Sequence, residues 1–137
     1  MVRRKGDVVV TVRPDETVER LLALLDEHGI GALVVSEDGA TVSGIVSERD
    51  VVRRLHRDGA AVLQAPISTI MTADVQTCGL DQGVEELART MTDLRIRHVP
   101  VVVDGRLTAI VSIGDIVKHR IDELQAERDQ LVGYIQQ

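Results

Sequence analysis

The stretch Gly44-Ile45-Val46-Ser47-Glu48-Arg49-Asp50 decides the fold, because it returns later in the chain as Ala109-Ile110-Val111-Ser112-Ile113-Gly114-Asp115. Each copy is typical of the end of a buried strand, followed by a hydroxyl side chain, two further residues, and a carboxylate near the start of a helix. The free backbone N–H groups and the dipole at a helix N-terminus favour an anion. There a hydroxyl can bind a phosphate, and a carboxylate can accept hydrogen bonds from the paired hydroxyl groups of a ribose.

The same Ser and Asp side chains have a purely structural interpretation. Ser and Asp are common at helix starts, where they only satisfy free backbone N–H groups. A single copy of the stretch would favour this second interpretation. The presence of two copies favours a shared binding function, and both interpretations stay open at this point.

The repetition extends well beyond this stretch. Asp15 corresponds to Asp81, and Asp38-Gly39 corresponds to Asp104-Gly105 at the same offset along the chain. The Ser and Asp of the duplicated stretch recur at an offset shorter by one position, so one residue is lost between the turn and the stretch. The chain is therefore an internal repeat of helix–strand–strand–helix units, each with a leading extended segment. Because one unit is too small to bury its sheet alone, the units are predicted to pack sheet against sheet.

The pattern also predicts where the elements lie. In the first unit we expect a strand over Asp7–Val12, a helix from Pro14 to Gly29, strands over Ile30–Ser36 and Thr41–Val46, and a helix from Asp50. The domain boundaries follow as a first repeat over 7–58, a connecting segment over 59–74 with a short helix or turn at Ile67–Met71, a second repeat over 75–120, and a C-terminal helical extension over 121–137.

The last helix is predicted to begin near Asp115 and to continue past Lys118 with a broken apolar stripe. The stripe consists of Ile121, Leu124, Leu131 and Ile135. A helix that extends beyond its unit either contacts a second copy of the chain or remains a solvated tail, and the stripe alone does not decide between these.

The composition limits the core and the ligands that the chain can hold. Hydrophobic residues make up 44% of the 137 residues, whereas aromatic residues make up 1%, with Tyr134 the single one. The core is therefore predicted to be aliphatic, and a bound base must lie between aliphatic side chains and backbone. The lack of stacking rings and the net charge of −6 argue against a nucleic-acid partner.

Cysteine usage and hydropathy indicate the compartment. The single cysteine, Cys78, excludes an internal disulfide framework and a zinc site built from several cysteines, and it fits a reducing compartment. No apolar run approaches the ~18 residues of a membrane-spanning helix, and the start of the chain does not match a signal peptide. We therefore expect a cytoplasmic protein with no membrane partner.

The sequence shows no catalytic or metal-binding pattern. The four histidines are scattered, and none belongs to a cluster with the spacing of metal ligands. Ser47 and Ser112 lack the Gly-x-Ser-x-Gly turn of a hydrolase, and no phosphate-binding glycine-rich loop is present. We therefore expect no catalytic residues, no metal and no enzymatic activity.

The repeated units resemble CBS domains, the small regulatory modules named after cystathionine beta-synthase. The resemblance rests on 44–50, and on Arg97-His98-Val99-Pro100-Val101 followed by Asp104-Gly105 and Ile110-Val111-Ser112. It covers residues 7–120, and the long tail is similar to that of stand-alone bacterial CBS-pair proteins. It implies a mixed α/β (α+β) fold in which two tandem repeats, each a small sheet with two helices, pack with pseudo-two-fold symmetry.

The resemblance also implies a function. CBS pairs bind AMP, ADP or ATP, and some bind NAD(H) or S-adenosylmethionine, in two clefts between the repeats and without a required cofactor. In the family, the hydroxyl of the stretch contacts phosphate and the carboxylate contacts ribose. By resemblance, Ser47 and Ser112 are phosphate contacts, and Asp50 and Asp115 are ribose contacts.

Family sites also use the start of the first hairpin strand. This start corresponds to Ile30, Gly31 and Ala32 in the first repeat and to Arg97, His98 and Val99 in the second.

Four residues at or near the expected sites distinguish the two repeats. Arg97 can bind a phosphate through two N–H groups, and His98 is either a pH-sensitive site residue or a packed histidine. Arg49 either supplies positive charge to the first site or is simply solvated. Ala109 replaces the usual Gly, which restricts how closely the backbone can approach a ligand. Whether both clefts bind, and whether they bind the same molecule, stays open.

Two main hypotheses of function remain. The first is a nucleotide sensor that changes an unidentified partner protein by shifting between two packings. The second is a structural dimerisation module with degenerate clefts. A third possibility, a nucleotide hydrolase, lacks a general base. A homodimer is expected under either main hypothesis, because two pairs of the family commonly assemble into a flat disc.

Overall fold

The structure is a computed structural model that describes residues 9–136, so positions 7 and 8 of the predicted first strand and Gln137 of the predicted extension lie outside the described residues. Its elements are β1 (Thr11–Val12), α1 (Val18–His28), β2 (Ala32–Val35), β3 (Gly44–Ser47), α2 (Glu48–Asp58), 3₁₀ turns at Gly59–Gln64 and Ile67–Thr69, α3 (Val84–Leu94), β4 (His98–Val103), β5 (Arg106–Ser112) and α4 (Ile113–Ile135). This order confirms the mixed α/β fold with two tandem units.

Strand pairing follows the predicted repeat. In the first sheet β1 runs parallel to β2, and β2 runs antiparallel to β3. In the second sheet β4 and β5 are antiparallel, with an irregularity between Val101 and Val102. Val12 pairs with Val35, and Cys78 pairs in the same parallel sense with Val101. Both members of the second pair follow those of the first at the offset of the repeat, so Cys78 occupies the place of β1 in the second unit.

Each unit has its own aliphatic core. The first core includes Leu21, Leu25, Leu33, Val46 and Val51, together with Val62, Ile67 and Ile70 from the segment after α2. The second core consists of Cys78, Leu87, Met91, Val99, Val101, Ala109, Val111 and Ile116. No residue belongs to both cores within residues 9–136.

Both faces of the first hairpin strand are buried in each unit. Leu33 and Val35 face the first core, but Ala32 and Val34 on the opposite face of β2 are buried as well. Pro100, the counterpart of Val34 in the repeat, is buried on the equivalent face of β4. This double burial fits the predicted packing of sheet against sheet.

A hydrogen bond also joins the two units directly. The backbone N–H of Leu107 donates to the carbonyl oxygen of Ala40, with an N···O distance of 2.6 Å.

The first hairpin differs from the sequence prediction. The strand predicted over Thr41–Val46 begins only at Gly44. The reason is Asp38, whose Oδ1 accepts hydrogen bonds from the Ala40 and Thr41 N–H groups at 2.8 Å and from the Thr41 hydroxyl at 3.0 Å. These bonds hold Thr41 in a turn. The other predicted strand, Ile30–Ser36, is shortened at both ends to Ala32–Val35.

In the second hairpin the turn consists of Asp104 and Gly105 alone. Their positive φ angles of 52° and 76° are those that a type I′ turn requires. The same Asp-Gly pair therefore builds two different turns in the two units.

The turn at Asp38 makes the stability depend on pH. The backbone N–H groups of Thr41 and Ala40 hold the pKa of the Asp38 carboxyl well below its ordinary value of 3.8. The folded state therefore favours the carboxylate, and this stabilisation is present above the unfolded-state pKa and is lost as the pH falls below it. We expect Asp38→Ala to lower Tm at pH 7. The difference in Tm between this variant and the wild type should become smaller below about pH 4.

Thermal melts between pH 3 and pH 7 measure this effect. Asp122→Ala removes the same charge from the exposed surface of α4 and serves as the control. If the difference in Tm between Asp38→Ala and the wild type stays constant down to pH 3, the Asp38 carboxylate does not stabilise the turn as described.

The segment after α2 approaches β3 closely. The N–H of Ile45 donates to the Thr72 carbonyl and the Thr72 N–H donates to the Ile45 carbonyl, both at 2.9 Å. At the neighbouring Gly44, an added Cβ would lie 2.9 Å from the Thr72 carbonyl oxygen and 2.7 Å from the Met71 sulfur. Glycine is therefore required at position 44, because the segment after α2 lies too close to β3 to leave room for a side chain.

Among residues 9–136, no segment makes a comparable approach to Ala109, the equivalent position in the second unit. The chain after β5 continues directly into α4, which extends to Ile135 within the described residues. Ala109 is accordingly accommodated in the second core.

Candidate functional site

A cavity of about 490 Å³ lies between the two units. Such a volume suits a small organic ligand. The first unit contributes Gly31, Ala32, Ile45, Val46, Ser47, Glu48, Arg49, Asp50 and Arg53. The junction between the connecting segment and the second unit contributes Thr72, Asp74, Val75 and Gln76. The second unit also contributes Leu94, Arg95, Ile96, Arg97 and His98. A molecule that fills the cavity therefore touches both units.

The Ser47 and Asp50 side chains lie on the cavity wall because they form the start of α2. Ser47 Oγ accepts a hydrogen bond from the Asp50 N–H at 3.3 Å, and Asp50 Oδ2 accepts one from the Ser47 N–H at 2.8 Å. This reciprocal pair is a capping box. Because Ser47 is the N-cap, α2 begins at Glu48 rather than at the predicted Asp50.

A third hydrogen bond ties the two side chains together. The Ser47 hydroxyl donates to Asp50 Oδ2 at 3.1 Å. Asp50 Oδ1 accepts no hydrogen bond within residues 9–136. The pair thus forms a structural cap and leaves one carboxylate oxygen of a cavity-lining residue able to accept further hydrogen bonds.

The second copy of the stretch forms the same cap. Asp115 Oδ2 accepts from the Ser112 N–H at 2.9 Å, and Ser112 Oγ accepts from the Asp115 N–H at 3.2 Å. Ser112 is the N-cap of α4, which begins at Ile113, two residues before Asp115 and close to the predicted start. Ser112 and Asp115 do not line the cavity between the units.

The cavity brings together seven of the residues suggested by the sequence. They are Gly31, Ala32, Ser47, Arg49, Asp50, Arg97 and His98. The resemblance grouped Arg97 and His98 with the second copy of the stretch, whereas in the structure they share a cavity with the first copy. Sheet-against-sheet packing brings the start of β4 against the first unit.

Four of the suggested residues lie outside this cavity, namely Ile30, Val99, Ser112 and Asp115. Val99 is fully buried in the second core, and Ile30 is partly buried against the first core. Their place in a second cleft stays a prediction.

Sequence reasoning did not single out several residues that line the cavity. The polar ones are Glu48, Arg53, Thr72, Asp74, Gln76 and Arg95. Arg53 follows Asp50 on α2 at a spacing of i, i+3, so helical geometry alone predicts a shared face. Residues 72–76 correspond to residues 6–10 at the offset of the repeat, and neither segment contains the duplicated Ser/Asp stretch, so no sequence signal marked them.

The cavity wall combines charged and aliphatic groups. Its carboxylates are Glu48, Asp50 and Asp74, its guanidinium groups are Arg49, Arg53, Arg95 and Arg97, and its aliphatic side chains include Ile45, Val46, Val75, Leu94 and Ile96. These aliphatic side chains are the apolar groups that the cavity offers to a ligand.

A metal site and a membrane span are both missing from the described part of the chain. Within residues 9–136, no group of three or more His, Cys, Asp or Glu side chains is placed to hold a metal ion. In the same range, no helix combines the length and the apolar character needed to span a membrane.

Comparison with known proteins agrees with the repeat seen in the structure. The family model described as "CBS domain" matches twice, over residues 6–57 and 67–122. The CBS-domain containing protein ATU1752 from Agrobacterium tumefaciens superposes with a TM-score of 0.81 at 45% identity, over 85% of this chain and 93% of that chain.

Two further matches add detail. The mitochondrial CBS domain-containing protein CBSX3 from Arabidopsis thaliana is 35% identical over 89% of this chain, which spans only 61% of that relative. The CBS domain pair of protein MJ0100, solved in complex with 5′-methylthioadenosine and S-adenosyl-L-methionine, superposes with a TM-score of 0.77 at 25% identity, over 86% of this chain and 92% of that chain.

Proposed function

The chain belongs to the CBS-domain family as a regulatory pair of repeats, and on this premise we propose that it binds an adenine nucleotide in the cavity between its units. AMP, ADP and ATP are the first candidates, followed by NAD(H) and S-adenosylmethionine. The observation that carries the proposal is the Ser47–Asp50 pair on the wall of a cavity lined by both units. The adenosine ligands bound by MJ0100 support the same ligand class.

Each part of such a ligand has a matching group in the cavity. Asp50 Oδ1 can accept hydrogen bonds from the ribose hydroxyls, and the aliphatic side chains can cover the two faces of the base. A phosphate at Ser47 would need the hydroxyl proton that now goes to Asp50. The Ser47 hydroxyl must therefore rotate when the ligand binds, while its lone pair continues to cap Asp50.

The proposed mode of action is regulation without catalysis. A ligand that contacts both units favours the packing in which those contacts form, and a partner protein that distinguishes the packings responds to it. We propose a homodimer as the assembled form and the cytoplasm as its location. The buried thiol of Cys78 fits a non-catalytic role, since burial raises its pKa and makes it a poor nucleophile.

Asp50→Ala should abolish ligand binding, and Asp115→Ala is its matched control. Each substitution removes the carboxylate of a capping box, so each should cost on the order of 1 kcal/mol of stability. Of these two aspartates, Asp50 lines the cavity and Asp115 does not. We therefore expect AMP, ADP, ATP, NAD, NADH or S-adenosylmethionine to raise Tm of the wild type and of Asp115→Ala, but not of Asp50→Ala.

Two results would contradict this assignment. If no ligand in the panel raises Tm of the wild type, the nucleotide-binding proposal is wrong. If Asp115→Ala loses the shift and Asp50→Ala keeps it, binding occurs in the second cleft instead.

The alternative function, a dimerisation module with degenerate clefts, is favoured by one observation. α4 exposes Val117, Ile121, Leu124, Leu131 and Ile135 on its surface. These residues follow one another at spacings typical of an apolar helix face. This alternative would be favoured if no ligand raises Tm of the wild type and light scattering shows a stable dimer.

A further inference from the structure

Arg95 occupies a backbone position that favours glycine. It ends α3 in the left-handed conformation, with φ 55° and ψ 42°. The equivalent residue of the first unit is Gly29, which ends α1 with φ 62° and ψ 39°. Both backbone N–H groups close the last turn of their helix in the same way. A residue with a Cβ is disfavoured in this conformation, so Arg95 is held at a cost in conformational energy that Gly29 avoids.

The residue at this disfavoured position lies at the cavity between the units. Arg95 lines the cavity between the units, whereas Gly29 does not. Strained backbone positions are found preferentially where a side chain serves binding. The left-handed conformation of Arg95 therefore indicates that this residue serves binding in the cavity.

Arg95 is one of four arginines in the cavity wall. Arg49 and Arg53 come from α2, and Arg95 and Arg97 come from the segment between α3 and β4. Within residues 9–136 none of the four forms an ion pair, although three carboxylates line the same cavity. This concentration of cations stands out in a chain whose net charge is −6.

The chemistry of these groups selects a ligand class. Guanidinium groups bind phosphate oxygens through paired N–H donors, and four of them exceed what a single phosphate requires. We infer that the cavity prefers a nucleoside di- or triphosphate to uncharged or cationic adenosine compounds, and that Arg95 contacts the phosphate chain. This inference rests on the proposed function and names the ligand of that same site.

The substitution Arg95→Gly separates binding from folding. It relieves the left-handed strain, so Tm of the ligand-free protein should stay the same or rise. It also removes a charge-assisted contact, so affinity for ATP in calorimetry should fall by about tenfold or more. Affinity for adenosine and for 5′-methylthioadenosine should change by less than about twofold, because neither compound carries a phosphate.

Two charge-neutralising variants complete the test. Arg95→Gln removes the charge but keeps the strain, and it should lose ATP affinity as Arg95→Gly does. Arg89→Gln, on the exposed surface of α3 and outside the cavity, should bind ATP as the wild type does.

The possible failures are distinguishable. Unchanged ATP affinity in Arg95→Gly, or equal affinity of the wild type for adenosine and ATP, overturns the inference and leaves adenosine binding intact. The absence of binding by every adenosine compound overturns both the inference and the proposed function.

Discussion

Ile67→Ala should lower the free energy of unfolding by about 2–5 kcal/mol, the largest loss that we expect from a single substitution in this chain. Ile67 is 0% exposed and belongs to the first core. Its N–H donates to the Glu16 carbonyl at 2.8 Å, and the next N–H, of Ser68, donates to the Pro14 carbonyl at 3.0 Å. The backbone around Ile67 is therefore fixed against the start of the first unit, and the core has little freedom to close the cavity left by the lost side chain.

Urea denaturation of the full chain measures this loss. Val52→Ala on α2 is the control, because Val52 is 63% exposed and its truncation should change stability by less than about 0.5 kcal/mol. A loss below about 1 kcal/mol for Ile67→Ala would mean that this segment does not contribute to the core as described.

Gly44→Ala should be the second most damaging change, with an expected loss of about 1–3 kcal/mol or more. Its methyl group would meet the Thr72 carbonyl oxygen at 2.9 Å and the Met71 sulfur at 2.7 Å. The methionine side chain can move, but the carbonyl is held by the paired hydrogen bonds between Ile45 and Thr72. The methyl group must therefore displace backbone and weaken this pairing.

Gly133→Ala provides the comparison for Gly44→Ala. Gly133 is inside α4, and a Cβ there would meet no atom of residues 9–136 within 4 Å apart from its chain neighbours and the backbone of its own helix. Alanine there should be neutral or should stabilise by up to about 1 kcal/mol. Equal Tm values for the two variants would refute the steric explanation of Gly44.

The repeat made much of the fold predictable. The two copies of one stretch identified the units, and the offset of the repeat also relates the pairing of Val12 to that of Cys78. The family assignment drawn from these residues is confirmed by the double match of the CBS-domain model. Hairpin details were less predictable, because the turn at Asp38 depends on side-chain hydrogen bonds that the matching Asp104 does not reproduce.

The composition of the cavity was predictable only in part. Ser47 and Asp50 could be identified because their chemistry lies within one local stretch. The grouping of Arg97 and His98 with that stretch depends on how two separately built units pack, and spacing within one unit carries no such information. The strain at Arg95 could not be predicted either. The sequence shows that an arginine replaces the equivalent Gly29 of the first unit, but it does not show the φ angle of that arginine.

The position of Ile67 also has a consequence for synthesis of the protein. The first core includes Val62, Ile67 and Ile70, which lie after the end of α2. A nascent chain that has exposed only residues up to 58 therefore still lacks part of the interior of its first unit. Domains generally fold as units while the chain emerges from the ribosome. The first unit can complete its interior only after residue 70 has emerged, when translation of the second unit is already under way.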